Sequence, residues 1–216
     1  MLTSLWFLIV LRISLTISVR WPRDNHLSDT EVSKYMRTMD VIPDVIDIGP
    51  QEFLNVTYHG YINVDGGKQL QPMEVRDEPA VQWPAVIEHY YTLLMVNPDA
   101  PNVLTPSHRE FLHWMVLNIP GNHLGMGDVR VGYMGAAPLP ATGTHRFIFL
   151  LYKQKDYTKF EFPKVPKHSV QGRHGFKVQE FVKKYKLGCP VAGNFFTSTW
   201  SEDVPALMKT ISLGSS

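Results

Sequence analysis

Three side chains in this sequence have the types and spacing to do chemistry together: Asp99, His113 and His145. Asp99 sits between Pro98 and Pro101, just after the apolar run "YYTLLMV", and His113 opens the next one, "HWMVLNI". In "THRFIFLLY", alternation places His145, Phe147, Phe149 and Leu151 on one face and Arg146, Ile148, Leu150 and Tyr152 on the other. The same rule puts His113 with Met115, Leu117 and Ile119. Two histidines thus head strands whose same-face neighbours are apolar, and a buried imidazole needs a partner. Asp99, at the end of the preceding strand, is the expected partner for either ring. Such a cluster beneath a glycine-rich loop would bind an anion. Imidazolium N–H groups donate, Asp99 orients one ring, and loop amides cradle the oxygens. Binding would then weaken as pH rises past about 6.5.

Other chemistries compete for these residues. Both histidines would be structural if simply satisfied within a core. Two His and a carboxylate can form a metal-binding facial triad, yet no HxxxH occurs and neither His113 nor His145 begins a His-x-Glu spacing. A Ser–His–Asp hydrolase needs a strained nucleophile elbow, and G-x-S-x-G is absent. With no nucleophile in view, the residues read as a small anion pocket without catalysis, metal or cofactor.

The elements that must position these residues are legible from patterning. Ser28-Asp-Thr-Glu31 has capping-box spacing ahead of Val32, Tyr35, Met36 and Met39, predicting a short helix ended before Pro43. "FLNVTYHGYINV" alternates as a strand, with "VDGGK" as a turn after it. "VQWPAVIEHYYTLLMV", "LHWMVLNIPG" and "HRFIFLLYKQ" are extended, and the 121–144 segment between the last two reads as one long Gly/Pro-rich loop. Two helices are predicted to close the chain. One carries Val178, Phe181, Val182 and Tyr185; the other, capped by Ser201, carries Val204, Leu207, Met208 and Ile211. Central strands with terminal helices predict a mainly β, α+β domain with an antiparallel sheet.

Composition narrows the function. A 216-residue chain, 44% hydrophobic and 12% aromatic, supports a single sizeable core. The net charge of +1 gives no global field for nucleic acid, and no nucleic-acid motif occurs. Acidic residues predominate from Asp24 to Glu110 and basic ones from Lys153 to Lys186, which reads as solvated faces. The one cysteine, Cys189, excludes an internal disulfide and reads as a small buried hydrophobe. The segment 1–18 resembles a secretory signal, with Thr16 and Ser18 as small residues before a cut, although Arg12 interrupts its apolar run. The alternative is a dispensable extension on a cytoplasmic protein. Asn55-Val-Thr57, the sole glycosylation sequon, matters only if the chain is exported.

"NPDAP", "REFLHWMVLNIPG", "GYMGAAPLPATGTHRFIFLLYKQ" and "CPVAGNFF", in this order, closely resemble the phosphatidylethanolamine-binding protein family, which includes Raf kinase inhibitor proteins. The resemblance covers a domain at 28–211, leaving 19–27 as linker and 212–216 as tail. It implies a large antiparallel sheet flanked by a smaller one, with C-terminal helices beside an anion pocket. It also implies a non-enzymatic, monomeric protein that binds phospholipid headgroups or phosphorylated small molecules and regulates a kinase or protease. A protease inhibitor with a vestigial pocket is the further alternative. By motif, the resemblance makes Asp99, His113, Ala137, Pro138, His145 and Phe147 the ligand-binding residues. Asn97, Ala137, Leu139 and Phe147 depart from the family's usual Asp, Gly, Pro and Tyr, which would weaken phosphate affinity and makes a more apolar ligand plausible beside the expected anion.

Overall fold

The structure, a computed structural model, describes residues 30–213. The signal-like segment, the linker and Ser28 lie outside them. A six-stranded sheet in the order β1-β9-β8-β5-β6-β7 stands against a three-stranded sheet in the order β3-β2-β4. In the large sheet the strands are β1 (Glu52–Phe53), β5 (Tyr90–Asn97), β6 (Phe111–Pro120), β7 (Asp128–Val131), β8 (His145–Lys153) and β9 (Ala192–Ser198). The small sheet holds β2 (Asn55–Tyr58), β3 (Ile62–Asn63) and β4 (Ala80–Gln82). The expected mainly β architecture of two sheets is present, with one refinement: β1 runs parallel to β9, so the large sheet is mixed at that edge.

Each face of the large sheet has its own core. On one face Leu94, Ile148, Leu150 and Tyr152 pack against Val32 and Met36 of α1 (Glu31–Thr38) and Val178 and Phe181 of α3 (Val178–Tyr185). On the other, Leu93, Met95, Phe147, Phe149 and Leu151 meet Val56, Tyr58 and Val81 of the small sheet and Leu54 just before it. The two faces of β8 thus divide as strict alternation predicts.

β6 does not alternate so simply. Leu112 pairs with Val96 and Trp114 with Met95, so His113 is an extra residue with no counterpart on β5. This β-bulge shifts the side chains that follow it. Met115 and Leu117 then lie in the core facing the helices and Val116 in the core facing the small sheet, and a second register shift before Ile119 puts that residue in the small-sheet core as well. The predicted grouping of His113 with Met115, Leu117 and Ile119 is therefore wrong. Its ring instead packs edge-on to Phe147, 5.1 Å between centroids.

Other local differences have simple causes. The cap of α1 is Thr30, whose hydroxyl accepts from Ser33 N–H, and a short helical turn, α2 (Val41–Asp44), follows and contains Pro43. The chain turns at "VDGGK" as expected, with Lys68 N–H donating to the Asp65 carbonyl, but the 53–64 run is not one strand: the β2–β3 hairpin turns at His59 and Gly60, both at positive φ. The 121–144 segment contains β7 before it becomes irregular. Strand β9 separates the two C-terminal helices, α3 and α4 (Val204–Leu213). Ser201 supplies its carbonyl to Val204 N–H, but its buried hydroxyl has no partner and does not cap α4. Cys189 is exposed, not buried.

Candidate functional site

β5 runs antiparallel to both β6 and β8, so the end of β5 meets the beginnings of its two neighbours. Asn97, Phe111, His113, His145 and Phe147 converge there. The loop after β7 crosses above them, contributing Met134, Gly135, Ala137, Pro138 and Leu139 to a cavity of about 220 Å³. Gly135 lets that loop settle, since a Cβ there would stand 2.5 Å from the Val75 carbonyl oxygen. Val170, His174 and Met208 close the remaining side.

The sequence-selected residues divide. His113, Ala137, Pro138, His145 and Phe147 line this cavity, and Asp99 does not. The Asp99 carboxylate is held by Arg146, with Nε to Oδ2 at 2.9 Å and Nη2 to Oδ1 at 2.6 Å, and Oδ2 also accepts the Arg146 backbone N–H at 2.8 Å. Arg146 in turn reaches Asp44. Asp99 therefore belongs to an ion-pair network that ties α2 to β8, and the expectation that it orients an imidazole is corrected. Asn97 takes that place: its Nδ2 lies 3.2 Å from His145 Nδ1.

Both imidazoles are satisfied as neutral rings. His113 Nδ1 lies 2.7 Å from the Met134 carbonyl oxygen, which can only accept, so Nδ1 carries the proton. Among the described residues Nε2 has no hydrogen-bond partner, leaving one lone pair for a ligand. Burial holds the His113 imidazole down at about 3, assisted by the nearby Arg173 cation. Burial also lowers His145, against the opposing pull of Asp99. Its Nε2 is 2.9 Å from Thr142 Oγ1, whose hydroxyl donates to the Leu139 carbonyl at 2.7 Å. The cationic donors expected for an anion pocket are thus absent from this geometry near neutral pH.

Sequence reasoning missed several residues here. His108 and His174 sit at the mouth with ring centroids 4.2 Å apart. The wholly buried Arg173 donates from Nη1 to the Leu112 and His113 carbonyls and from Nη2 to Gly132, Pro166 and Lys167. Nothing in "QGRHGF" signals that role. Asn97 was detectable: Asn-Pro-Asp is an Asx-turn signature, and Asn97 Oδ1 accepts Asp99 N–H at 2.8 Å. Among the described residues, no group of three or more His, Cys, Asp and Glu could hold a metal ion. No helix among them is long and apolar enough to cross a membrane.

A mixed sheet backed by a smaller one, with a mostly apolar cavity at the strand ends, defines a two-sheet β domain with a candidate ligand site. The family model for phosphatidylethanolamine-binding protein matches residues 50–196, and the chain belongs to that family. It is 40% identical over 184 residues to a putative odorant-binding protein A5 of Drosophila melanogaster, covering 85% of this chain and 88% of that one. It is 34% identical over 160 residues to a 26 kDa secreted antigen of Toxocara canis, covering 73% of this chain and 60% of that protein. A carboxypeptidase Y inhibitor, solved in complex with its cognate proteinase, matches with a TM-score of 0.68 at 25% identity, over 78% of this chain and 94% of that one.

Proposed function

We propose that this protein is an exported carrier or receptor-like binder of a small, mainly apolar ligand bearing one hydrogen-bond donor. The observation that carries the reading is the state of the two histidines: each spends its protonated nitrogen on the protein itself, within walls of Phe111, Phe147, Met134 and Pro138. An anion would enter such a cavity at a desolvation cost without an imidazolium to offset it. A ligand hydroxyl or amine can donate to His113 Nε2 while its carbon skeleton fills the apolar remainder. The cavity is below the roughly 300–1,000 Å³ of sites for drug-sized molecules, so it suits a small ligand or one end of a longer one. Export is supported by the apolar N-terminal run and by the names of the two relatives, one odorant-binding and one secreted. Asn55 is exposed on β2, where a glycan would be accommodated.

The test is fluorescence titration with N-phenyl-1-naphthylamine, an apolar probe that brightens in dry sites. Saturable one-to-one binding, lost when Ala137→Phe fills the cavity, supports the reading. Equal binding by both proteins contradicts it. A second reading, inhibition of a carboxypeptidase-like protease, draws on the likeness to the carboxypeptidase Y inhibitor. It predicts protease inhibition that Ala137→Phe leaves intact.

A further inference from the structure

We infer that Asn97 is the specificity-determining residue of the cavity, its amide fixing the tautomer of His145 and so restricting the site to ligands without a formal negative charge. This rests on the cavity reading above and names the device behind it. An Asn amide can be placed in either orientation, but here the backbone decides. Asp99 N–H donates to Oδ1 at 2.8 Å, so Nδ2 is the atom left to face His145 Nδ1 at 3.2 Å. An NH₂ group only donates, and Nδ1 must meet it as a lone pair. The ring proton then sits on Nε2, directed at Thr142 Oγ1 at 2.9 Å, and the Thr142 proton passes on to the Leu139 carbonyl at 2.7 Å. Each link in this chain has one polarity.

A second proton on His145 would have to occupy Nδ1, opposite the amide, where two donors would face each other. The other groups around the ring do not reverse this. His113 is neutral and uncharged toward it. Phe147 stacks near it at 6.5 Å between centroids. Asp99 attracts a proton, but its carboxylate is already paired with the Arg146 cation. A carboxylate at position 97 would act oppositely. One oxygen would still accept Asp99 N–H, and the other would accept a proton from Nδ1, so the imidazolium form of the ring would be stabilised and its titration raised. The exchange replaces one nitrogen by one oxygen in the same shape. The charge state of the cavity wall therefore depends on a single side-chain atom.

The experiment is histidine ¹⁵N NMR on wild type, Asn97→Asp and Asn97→Ala, paired with naphthylamine titrations between about pH 5 and 8. Wild-type His145 is expected as the Nε2–H tautomer, titrating below the ordinary histidine value, with probe affinity constant to within about twofold above pH 7. In Asn97→Asp the ring should titrate inside the window, and probe binding should weaken by about fivefold or more as it charges. Asn97→Ala, which removes the opposing donor, should also raise the His145 titration and serves if the Asp variant does not fold. An Nδ1–H tautomer in wild type, or a His145 titration that neither substitution moves, overturns the assignment. Absence of probe binding in all three proteins overturns the cavity reading alone, because the NMR arm still decides the tautomer.

Discussion

Arg173 Nη1 donates to the carbonyl oxygen of His113 at 2.9 Å, so a fully buried cation holds the backbone of the residue that forms the cavity's bulge. The guanidinium answers only carbonyls, from the preceding residues of its own loop, from Gly132 just after β7 and from β6. Burial lowers its titration to about 10, which leaves it charged at neutral pH. Arg173→Met leaves several buried carbonyls without a donor, at about 1–3 kcal/mol each. We expect a loss of about 3 kcal/mol or more, read from urea denaturation. A loss below about 1 kcal/mol would mean that water replaces the guanidinium.

Stability should depend on pH through two opposing sets of groups. His113 titrates near 3 in the fold against 6.5 in the unfolded chain. Below pH 6.5 the unfolded chain therefore binds a proton that the fold refuses, and stability falls by about 1.4 kcal/mol per pH unit for this group. Burial pushes His145 and His174 in the same direction. Glu110 works the other way. Its buried carboxyl, which accepts Val178 N–H at the start of α3, is raised by desolvation to about 7 from 4.5. The stability it adds is fully present below pH 4.5 and is lost as pH rises through 7. Glu110→Gln should thus be more favourable, relative to wild type, at pH 8 than at pH 5 by about 2 kcal/mol. Chemical denaturation at the two pH values measures the difference, and a pH-independent effect would remove Glu110 from this account.

These groups also show how much was legible beforehand. The faces of β8 and the stripe of α3 follow from period, because nothing interrupts their alternation, and the convergence of His113 with His145 follows from their places near the leading ends of the two strands that flank β5. β6 defeated the same rule because an inserted residue moves later side chains to the other face, and "LHWMVLNI" carries no glycine or proline to mark it. β9 was missed because Gly193 and Asn194 break its apolar run between two helical patterns. Asp99 was misassigned because sequence gives proximity but not pairing. Arg146 is the stronger competitor for its carboxylate, and the amide two residues earlier is left for His145.

Export is testable at the N-terminus. If 1–18 is removed, protein from the medium of eukaryotic cells should begin near Val19. Arg12 in the apolar run costs about 2.5–3.5 kcal/mol on the insertion scale, so Arg12→Leu should raise the secreted fraction. Intact Met1 in a cytosolic pool, with none in the medium, would support the cytoplasmic alternative.

A cavity walled by neutral imidazoles and apolar side chains should accept uncharged, apolar ligands and refuse phosphate. Isothermal titration calorimetry at pH 7, comparing a medium-chain alcohol with phosphorylethanolamine, tests it most directly. The alcohol should bind one-to-one with a micromolar-range Kd, abolished by Ala137→Phe, and phosphorylethanolamine should give no measurable heat. Phosphorylethanolamine binding that His113→Ala weakens by about tenfold or more, with no binding of the alcohol, would contradict it.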